Sequence, residues 1–410
     1  MACMNSDPAG PRGVGPRRRG TARPRTLQET CQQNGEGFES ISNGIVNNRS
    51  IVGEFRMNPV DSCPKRGPEL PGALVISLDF ELHWGVRDRI RCDEPYGRNL
   101  LGAPEAVARL LQLFEEFEVA ATWATVGFLF ATSRIELQAF TPKLRPVYAD
   151  PSLSPYEESI GESERDDPLH FAPSLIELIQ ETPQQEIATH TFSHYYCGEK
   201  GQDRETFRAD LAAARAIAAR RGLQLRSIVF PRNQHNPIYD DILLENGITA
   251  YRGNPTSFAW RFADGAEGRA TARRAVRLLD TYLSLTGPGT IRWAEVLQPE
   301  GLSNVRASCF LRPFRAGWKA LDTLRLERIR RSVRYAAQNR EIFHLWWHPH
   351  NFGNYLEENL NFLRSILEEM ERCRREYAMV SLTMNQADQL VRGEIRQKLG
   401  VRGNIRSVIP

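Results

Sequence analysis

The sequence is poor in the residues that would cross-link the chain or anchor it in a membrane. Its 410 residues include only seven cysteines, which are widely scattered without any C-x-x-C pair. Their odd number and spacing predict no disulfide framework, so a reducing cytoplasm is the expected location. The first 30 residues are rich in arginine, but no apolar run follows them. Neither a signal peptide nor a transmembrane segment is therefore predicted.

An excess of one charge sign is also lacking. The formal net charge is +3, with 25% charged and 41% hydrophobic residues, as in an ordinary globular protein with a large core. Such a nearly neutral chain has no overall attraction for polyanions, so nucleic acid is not an expected partner. The composition does not indicate an oligomeric state.

The two ends of the chain differ in composition from its middle. Residues 1–68 are rich in Gly, Pro, Arg, Asn and Ser and cannot bury enough apolar surface to offset the entropy of ordering. We expect either a disordered basic tail there or a translation start at Met57. The globular domain is expected at 69–392, followed by a flexible tail at 393–410.

Segments typical of strands alternate with segments typical of helices through the middle of the chain. Strands are predicted at 73–78, 119–130, 186–190, 225–230, 249–252, 342–348 and 378–382. Helices are predicted at 104–118, 173–181, 203–221, 240–246, 318–338, 356–377 and from 385 onwards. This repetition predicts an α/β fold with a parallel sheet closed as a barrel, whose site lies at the C-terminal strand ends. Insertions are expected near 132–170 and 253–311.

Two of the eight histidines, His190 and His194, lie four residues apart at the end of a predicted strand. This spacing is typical of metal ligands, but no glutamate lies between them. The pair therefore does not form the H-E-x-x-H helix of metalloproteases, and a base must come from elsewhere. A closed structural site that recruits Cys197 is the alternative interpretation.

Two carboxylates follow another predicted strand. Ser77, Asp79 and Glu81 are spaced two apart, so they project from one face of an extended chain. Neighbouring carboxylates are costly unless they are paired, and a divalent metal would remove that cost for one and leave the other as a base. Alternatively, Asp79 caps the loop and Glu81 is solvated.

A third segment rich in histidine ends the strand predicted at 342–348. On that strand His344, Trp346 and His348 share one face, and Pro349 ends it. We expect His344 to be a core residue that is hydrogen-bonded to backbone. His348, at the C-terminal end of the strand, is expected to be functional.

Together these segments resemble the polysaccharide deacetylases, the NodB-homology carbohydrate esterases, over about residues 72–390. The first motif of that family is similar to Asp79-Phe80-Glu81, in a D-x-E form instead of the commoner D-D form. The second motif, H-[S/T]-x-x-H, is met by residues 190–194. The histidine of its last active-site strand resembles His348, and residues 121–127 are similar to its T-F-F-V-x-G strand.

The resemblance implies a distorted (β/α)7-type barrel of the glycoside hydrolase and deacetylase kind. It further implies Zn2+ or another divalent metal ion held by Glu81, His190 and His194, with Asp79 as the base and His348 as the acid.

Two family motifs are not matched directly. The third usually reads R-x-P-[YF], and its arginine holds the catalytic aspartate. Here the corresponding stretch, 230–234, reads F-P-R-N-Q, so Arg232 is the residue implied to hold Asp79. For the fourth motif, Asp280 and Trp293 are the candidates.

The expected reaction is removal of an acyl group, most often N-acetyl, from a sugar in a polysaccharide or a lipid-linked glycan. The alternatives are hydrolysis of another linear C–N amide, including deformylation, a glycosidase, and a non-catalytic carbohydrate-binding barrel. The segment 302–340 carries ten Lys or Arg and two acidic residues. It is either a solvated helix face or a docking surface for an anionic glycan.

Overall fold

The computed structural model describes residues 70–90, 96–255 and 287–398. The tail predicted at 1–68, the candidate Asp280 and the last residues of the predicted C-terminal tail lie outside the described residues, as does much of the insertion at 253–311.

Nine strands and nine helices make up the described part of the chain. The strands are β1 (Ala73–Phe80), β2 (Ala121–Thr125), β3 (Gln185–Thr189), β4 (Ser227–Ile228), β5 (Ala250–Tyr251), β6 (Ser303–Asn304), β7 (Cys309–Phe310), β8 (Ile342–Trp347) and β9 (Val380–Leu382). The helices are α1 (Gly97–Leu101), α2 (Ala103–Glu116), α3 (Arg134–Phe140), α4 (Pro173–Glu181), α5 (Arg204–Ala219), α6 (Asp240–Glu245), α7 (Asp322–Asn339), α8 (Leu356–Tyr377) and α9 (Met384–Lys398). Helix α9 extends beyond the domain end predicted at residue 392.

The strands form one sheet, and every strand pairing in it is parallel. Its order is β6-β5-β4-β3-β2-β1-β8-β7, and β9 pairs with the first half of β1. Laid flat, eight strands would span more than ~30 Å, because neighbouring strands lie ~4.8 Å apart. Yet β6 and β7, at opposite ends of this order, are joined by only residues 305–308. The sheet must therefore curl into a barrel, which confirms the predicted fold class.

The barrel is not fully closed. Within the described residues no strand pairing joins β6 to β7. The barrel is therefore distorted, as the sequence resemblance implied.

Strand β1 shows how the sequence divides the core into two layers. Its even-numbered side chains, such as Leu74 and Leu78, belong to the cluster that packs against the surrounding helices, including α2. Its odd-numbered residues Ala73 and Val75 belong to a second cluster, inside the barrel, that includes side chains of α9. The first inward-facing side chains of β1 are therefore apolar and belong to the core inside the barrel.

The strand predicted at 119–130 is shorter than expected. Strand β2 ends at Thr125, and residues 127–130 form a 3-10 turn. The cause is a contact with the turn after β3, because the backbone N–H groups of Gly127 and Phe128 donate to the carbonyls of Thr191 and Phe192. Gly127 is required at this contact, since a Cβ there would lie 2.5 Å from the Phe192 ring.

The insertion predicted at 132–170 is ordered and contains α3. Among the described helices, none combines the length and apolar character needed to cross a membrane.

Candidate active site

The inward face of β1 becomes polar towards its C-terminal end. Ser77 and Asp79 continue the row of inward-facing residues, and Glu81 follows directly after the strand. Asp79 is 3% exposed and Glu81 4% exposed. Two carboxylates are thus buried at the C-terminal end of the barrel, and the interpretation of Glu81 as a solvated side chain is wrong.

Glu81 lies against both histidines of the H-x-x-x-H segment. Its Oε2 is 3.3 Å from Nε2 of His190 and 3.1 Å from Nε2 of His194. All three residues are buried, and their ligand atoms form a group that could hold a metal ion. The structure therefore brings together the three residues that the resemblance implied as ligands.

The histidines are positioned by a strained turn after β3. Thr191 and His194 have left-handed φ values of 65° and 56°. The buried Asp210 of α5 stabilises this turn by accepting the backbone N–H groups of Phe192 (2.7 Å) and Ser193 (3.1 Å). Burial raises the pKa of Asp210 to about 6, in spite of these hydrogen bonds.

The donor atoms of this group fit a divalent cation. Nδ1 of His190 lies 2.8 Å from the carbonyl oxygen of Val229 and must donate to it, so Nε2 carries a lone pair. That lone pair faces the Glu81 carboxylate and has no hydrogen-bond partner among the described residues. Burial lowers the pKa of His194 to about 4, so its ring is neutral at ordinary pH. Two imidazoles and one carboxylate are a common ligand set of catalytic zinc.

Charge on Glu81 is favoured by its neighbours. Burial alone would raise its pKa, but His348 and the close contacts with His190 and His194 outweigh burial and hold it well below the usual value. Glu81 is therefore ionised, as a metal ligand must be.

Cys197 does not join this group. Its thiol is buried in a separate apolar cluster with Tyr195, Phe207 and Phe230. Burial raises the pKa of the thiol well above its usual value, which disfavours the thiolate that a metal would need. The alternative of a closed site with Cys197 is therefore not supported.

Asp79 is held by Arg252, a residue that the sequence analysis did not single out. The guanidinium makes two parallel hydrogen bonds of 2.7 Å to the two carboxylate oxygens. It also donates to Ser77 Oγ and Asn233 Oδ1, both at 2.9 Å, and stacks over the Trp346 ring. Burial would raise the pKa of Asp79, but Arg252 outweighs it and holds the pKa below the usual value.

Arg232 does not make the contact with Asp79 that the sequence analysis expected. It has a left-handed φ of 55°, and its guanidinium bonds to Asp88 and, at 3.4 Å, to Glu199. It also stacks over the ring of Tyr196. The arginine that holds the aspartate is instead Arg252, directly after β5.

His348 completes the group around the two carboxylates. Its Nε2 is 3.4 Å from Glu81 Oε1 and 3.8 Å from Asp79 Oδ2. The hydroxyl of Tyr96 donates to Asn351 Oδ1 at 2.8 Å, which directs the Asn351 amide nitrogen towards Nδ1 of His348 at 3.4 Å. In this orientation the Nε2 side of the His348 ring faces the two carboxylates.

Two further histidines on the same segment are fully buried. His344 bonds through Nδ1 to the Val305 carbonyl and through Nε2 to Ser77 Oγ, both at 2.8 Å. Burial lowers its pKa to about 3. Its burial and its bond to the Val305 carbonyl confirm the prediction of a core histidine that is hydrogen-bonded to backbone. His350 was not predicted, and its ring centroid lies 5.2 Å from that of His348.

A cavity of ≈ 330 Å³ opens beside Glu81 and His348. Its walls include three aromatic residues and three arginines: Tyr96, Phe310, Trp318, Arg312, Arg315 and Arg325. All but Tyr96 come from the basic segment 302–340. A mainly apolar cavity with a few charged groups, next to the carboxylates, has the size and lining of a small-molecule site.

The arginines further along α7 are engaged within the protein. Arg330, Arg331 and Arg334 pair with Glu368, Glu327 and Glu369. This part of the segment 302–340 is therefore a solvated helix face whose arginines form ion pairs. The arginines of the same segment that lie beside the candidate active site are those of the cavity wall.

No protein-family model matches the chain, and no curated protein matches it. Its fold, however, matches solved structures. A Mycobacterium smegmatis protein proposed to be a polysaccharide deacetylase aligns over 84% of this chain and 98% of its own, with a TM-score of 0.51 and 16% identity. This likeness establishes the barrel fold.

Two more distant structures belong to carbohydrate esterase family 4. A pseudoenzyme from Bacillus anthracis aligns over 78% of this chain and 66% of its own, with a TM-score of 0.36 and 11% identity. An esterase from Streptomyces lividans in complex with acetate aligns over 77% of this chain and 92% of its own, with a TM-score of 0.32 and 10% identity.

Proposed function

We propose that this protein is a metal-dependent hydrolase that removes an acyl group, most often N-acetyl, from a sugar in a polysaccharide or a lipid-linked glycan. The observation that supports this most strongly is the convergence of Asp79, Glu81, His190, His194 and His348 at one end of the barrel. These residues supply a base, three metal ligands and an acid, which are the groups that amide hydrolysis requires.

Glu81, His190 and His194 hold the ion in this proposal, and Zn2+ is the ion that best suits one carboxylate and two imidazoles. When bound, it supplies Lewis acidity that makes water more acidic and polarises the acyl oxygen.

Asp79 is the base. It accepts a proton from the water that attacks the acyl carbon, and its low pKa keeps it ionised before the reaction. Arg252 is a positioning residue, because its two parallel hydrogen bonds fix the orientation of the carboxylate.

His348 is the acid. When the C–N bond breaks, the departing nitrogen takes the Nε2 proton of the His348 imidazolium, which leaves a neutral ring, and this Nε2 lies within 4 Å of both carboxylates. This ring is partly exposed to solvent, with 24% of the side chain accessible, so it can recover a proton after each turnover.

The test is acetate release from N-acetylglucosamine oligosaccharides by purified, zinc-loaded protein. We expect acetate from the wild type and a loss of at least ~100-fold in kcat for Asp79→Asn and His348→Ala. Wild-type rates in either variant would overturn the assignment. Release of formate would point to deformylation and new reducing ends to a glycosidase, whereas glycan binding without turnover would favour a non-catalytic barrel.

We also propose that the cavity wall, and not the outer face of α7, makes the contact with an anionic glycan. Arg315 lies in that wall and is exposed, whereas Arg331 is paired with Glu327. Arg315→Ala should therefore raise KM for a saccharide bearing a carboxylate or phosphate at low salt, and Arg331→Ala should not. Equal effects of the two substitutions would contradict this placement.

A further inference from the structure

A second pair of histidines lies outside the candidate active site. His83 is in the 3-10 turn after β1, and His170 is at the end of the ordered insertion. Nδ1 of His83 is 2.9 Å from Nε2 of His170, and each residue is 5% exposed. Neither residue belongs to a motif recognised in the sequence.

The outer nitrogen of each ring already has an acceptor. Nε2 of His83 lies 3.2 Å from the carbonyl oxygen of Ile90, and Nδ1 of His170 lies 2.7 Å from Asp167 Oδ2. Asp167 also accepts two backbone N–H groups, one on each carboxylate oxygen, so it is an ionised acceptor. Both outer nitrogens must therefore carry the hydrogen.

A neutral imidazole carries only one hydrogen. With both hydrogens on the outer side, the two inner nitrogens of His83 and His170 present lone pairs to each other at 2.9 Å. Such lone pairs repel, so a cation must lie between them, either a shared extra proton or a metal ion. Metal-bound histidines characteristically donate their other N–H to a carbonyl or carboxylate, as both rings do here.

A third group distinguishes these two cations. Glu158 brings a carboxylate oxygen within 4.8 Å of a ring nitrogen of each histidine. In the described part of the chain this carboxylate has no hydrogen bond or ion pair of its own. A shared proton uses only the two nitrogens, whereas a metal ion uses all three groups.

We propose that His83, Glu158 and His170 form a second binding site for a divalent ion of the zinc type. Bond lengths of ~2.0–2.1 Å would place the two nitrogens ~3.3 Å apart, so binding requires the rings to separate by a few tenths of an ångström. It also requires the Glu158 carboxylate, which lies within 4.8 Å of the ring nitrogens, to move closer to them. Glu158 also lines a cavity of ≈ 390 Å³ with Trp84 and Tyr156, which gives the ion a path from solvent.

The position of the site indicates a structural role. Two hydrogen bonds already join the insertion to the turn after β1. Trp84 Nε1 donates to the His170 carbonyl, and Arg87 donates to the Ser152 carbonyl. An ion bound by His83 and His170 would add a cross-link between the same two segments, two residues after Glu81. The ion would therefore stabilise the folded protein in proportion to its occupancy.

The test is the metal stoichiometry of the full-length protein. Protein stripped with a chelator is titrated with Zn2+, and bound metal is measured by calorimetry and by elemental analysis. We expect two ions per chain in the wild type and one in Glu158→Gln or His170→Gln. The neighbouring, exposed Glu157 gives a matched control, since Glu157→Gln should still bind two. His83 is not substituted, because it lies two residues from Glu81.

A companion variant separates the two sites. Glu81→Gln should lose the ion of the candidate active site and keep the other, and the double variant Glu81→Gln/His170→Gln should bind none. The proposal is overturned if the wild type binds a single ion that is lost in Glu81→Gln, or if Glu158→Gln and His170→Gln both still bind two. The first result would mean that His83 and His170 share a proton.

Discussion

Gly85 tests the position of Glu81 without changing Glu81 itself. Gly85 lies in the 3-10 turn after β1, and a Cβ added there would be 1.9 Å from Glu81 Cδ and 2.1 and 2.3 Å from its two carboxylate oxygens. Non-bonded heavy atoms separate to ~3.5 Å, so Gly85→Ala forces the carboxylate to move by more than ~1 Å. The carboxylate is the far end of a flexible side chain, and it can move while the barrel stays intact.

The substitution should affect function and stability differently. A displacement of ~1 Å in a catalytic arrangement costs ~100-fold in rate, and disturbing a metal ligand costs ~10–100-fold in affinity. Gly85 does not have a positive φ, so alanine is compatible with its backbone and by itself stabilises by ~0.4–1 kcal/mol. We therefore expect weaker zinc binding and lower kcat, with an unfolding temperature of the metal-free protein that is unchanged or higher.

The assay is zinc titration of the stripped variant, together with thermal unfolding of the metal-free form. Gly317→Ala is a suitable control, because a Cβ there would meet nothing within 4 Å. If Gly85→Ala binds zinc as tightly as the control, the Glu81 carboxylate does not bind the ion in the position proposed. Loss of binding together with unfolding would instead show that the clash is absorbed by the backbone.

Two further predictions follow from the buried charges. Arg252→Lys removes the paired hydrogen bonds to Asp79 and should lower kcat by at least ~10-fold, whereas Arg232→Lys should not. Because Arg252 lowers the pKa of Asp79, the acidic limb of the pH–rate profile should move to higher pH in Arg252→Lys, and an unmoved limb would refute this. Asp210 has a folded pKa of about 6, above its usual 3.8, so its contribution to stability is full below about pH 4 and is lost as pH rises through about 6. This shift of the pKa by roughly two units is worth about 3 kcal/mol in the free energy of unfolding. In urea unfolding at pH 4 and pH 7, the Asp210→Asn variant should therefore gain stability relative to wild type at the higher pH. A stability difference between variant and wild type that does not change with pH would contradict the raised pKa of Asp210.

Local periodicity was sufficient to predict part of the site. Alternation along β1 places Ser77 and Asp79 on one face, and this rule does not depend on the rest of the fold. The same holds for His190 and His194 at the end of β3, since parallel strands of a barrel bring their C-terminal ends together. Strand geometry determines the positions of Ser77, Asp79 and His190, whereas that of His194 also depends on the left-handed turn after β3.

Contacts set by turns and by distant segments could not be predicted in this way. Arg232 and Asn233 both have left-handed φ values, and the direction of their side chains depends on that turn. A signal for Arg252 did exist, because it ends the strand predicted at 249–252, where a barrel places functional residues. The contact between His83 and His170 depends on how the insertion folds back, and no local pattern encodes this.

The most direct test of the account is the anomalous scattering of zinc in crystals of the metal-loaded protein. We predict an ion at ~2.0–2.2 Å from one oxygen of Glu81 and from Nε2 of His190 and His194, with a coordination position open to solvent. Asp79 and His348 should lie beside that open position without binding the ion. Zinc absent from this place, or enclosed by four protein ligands, would contradict the proposed hydrolase.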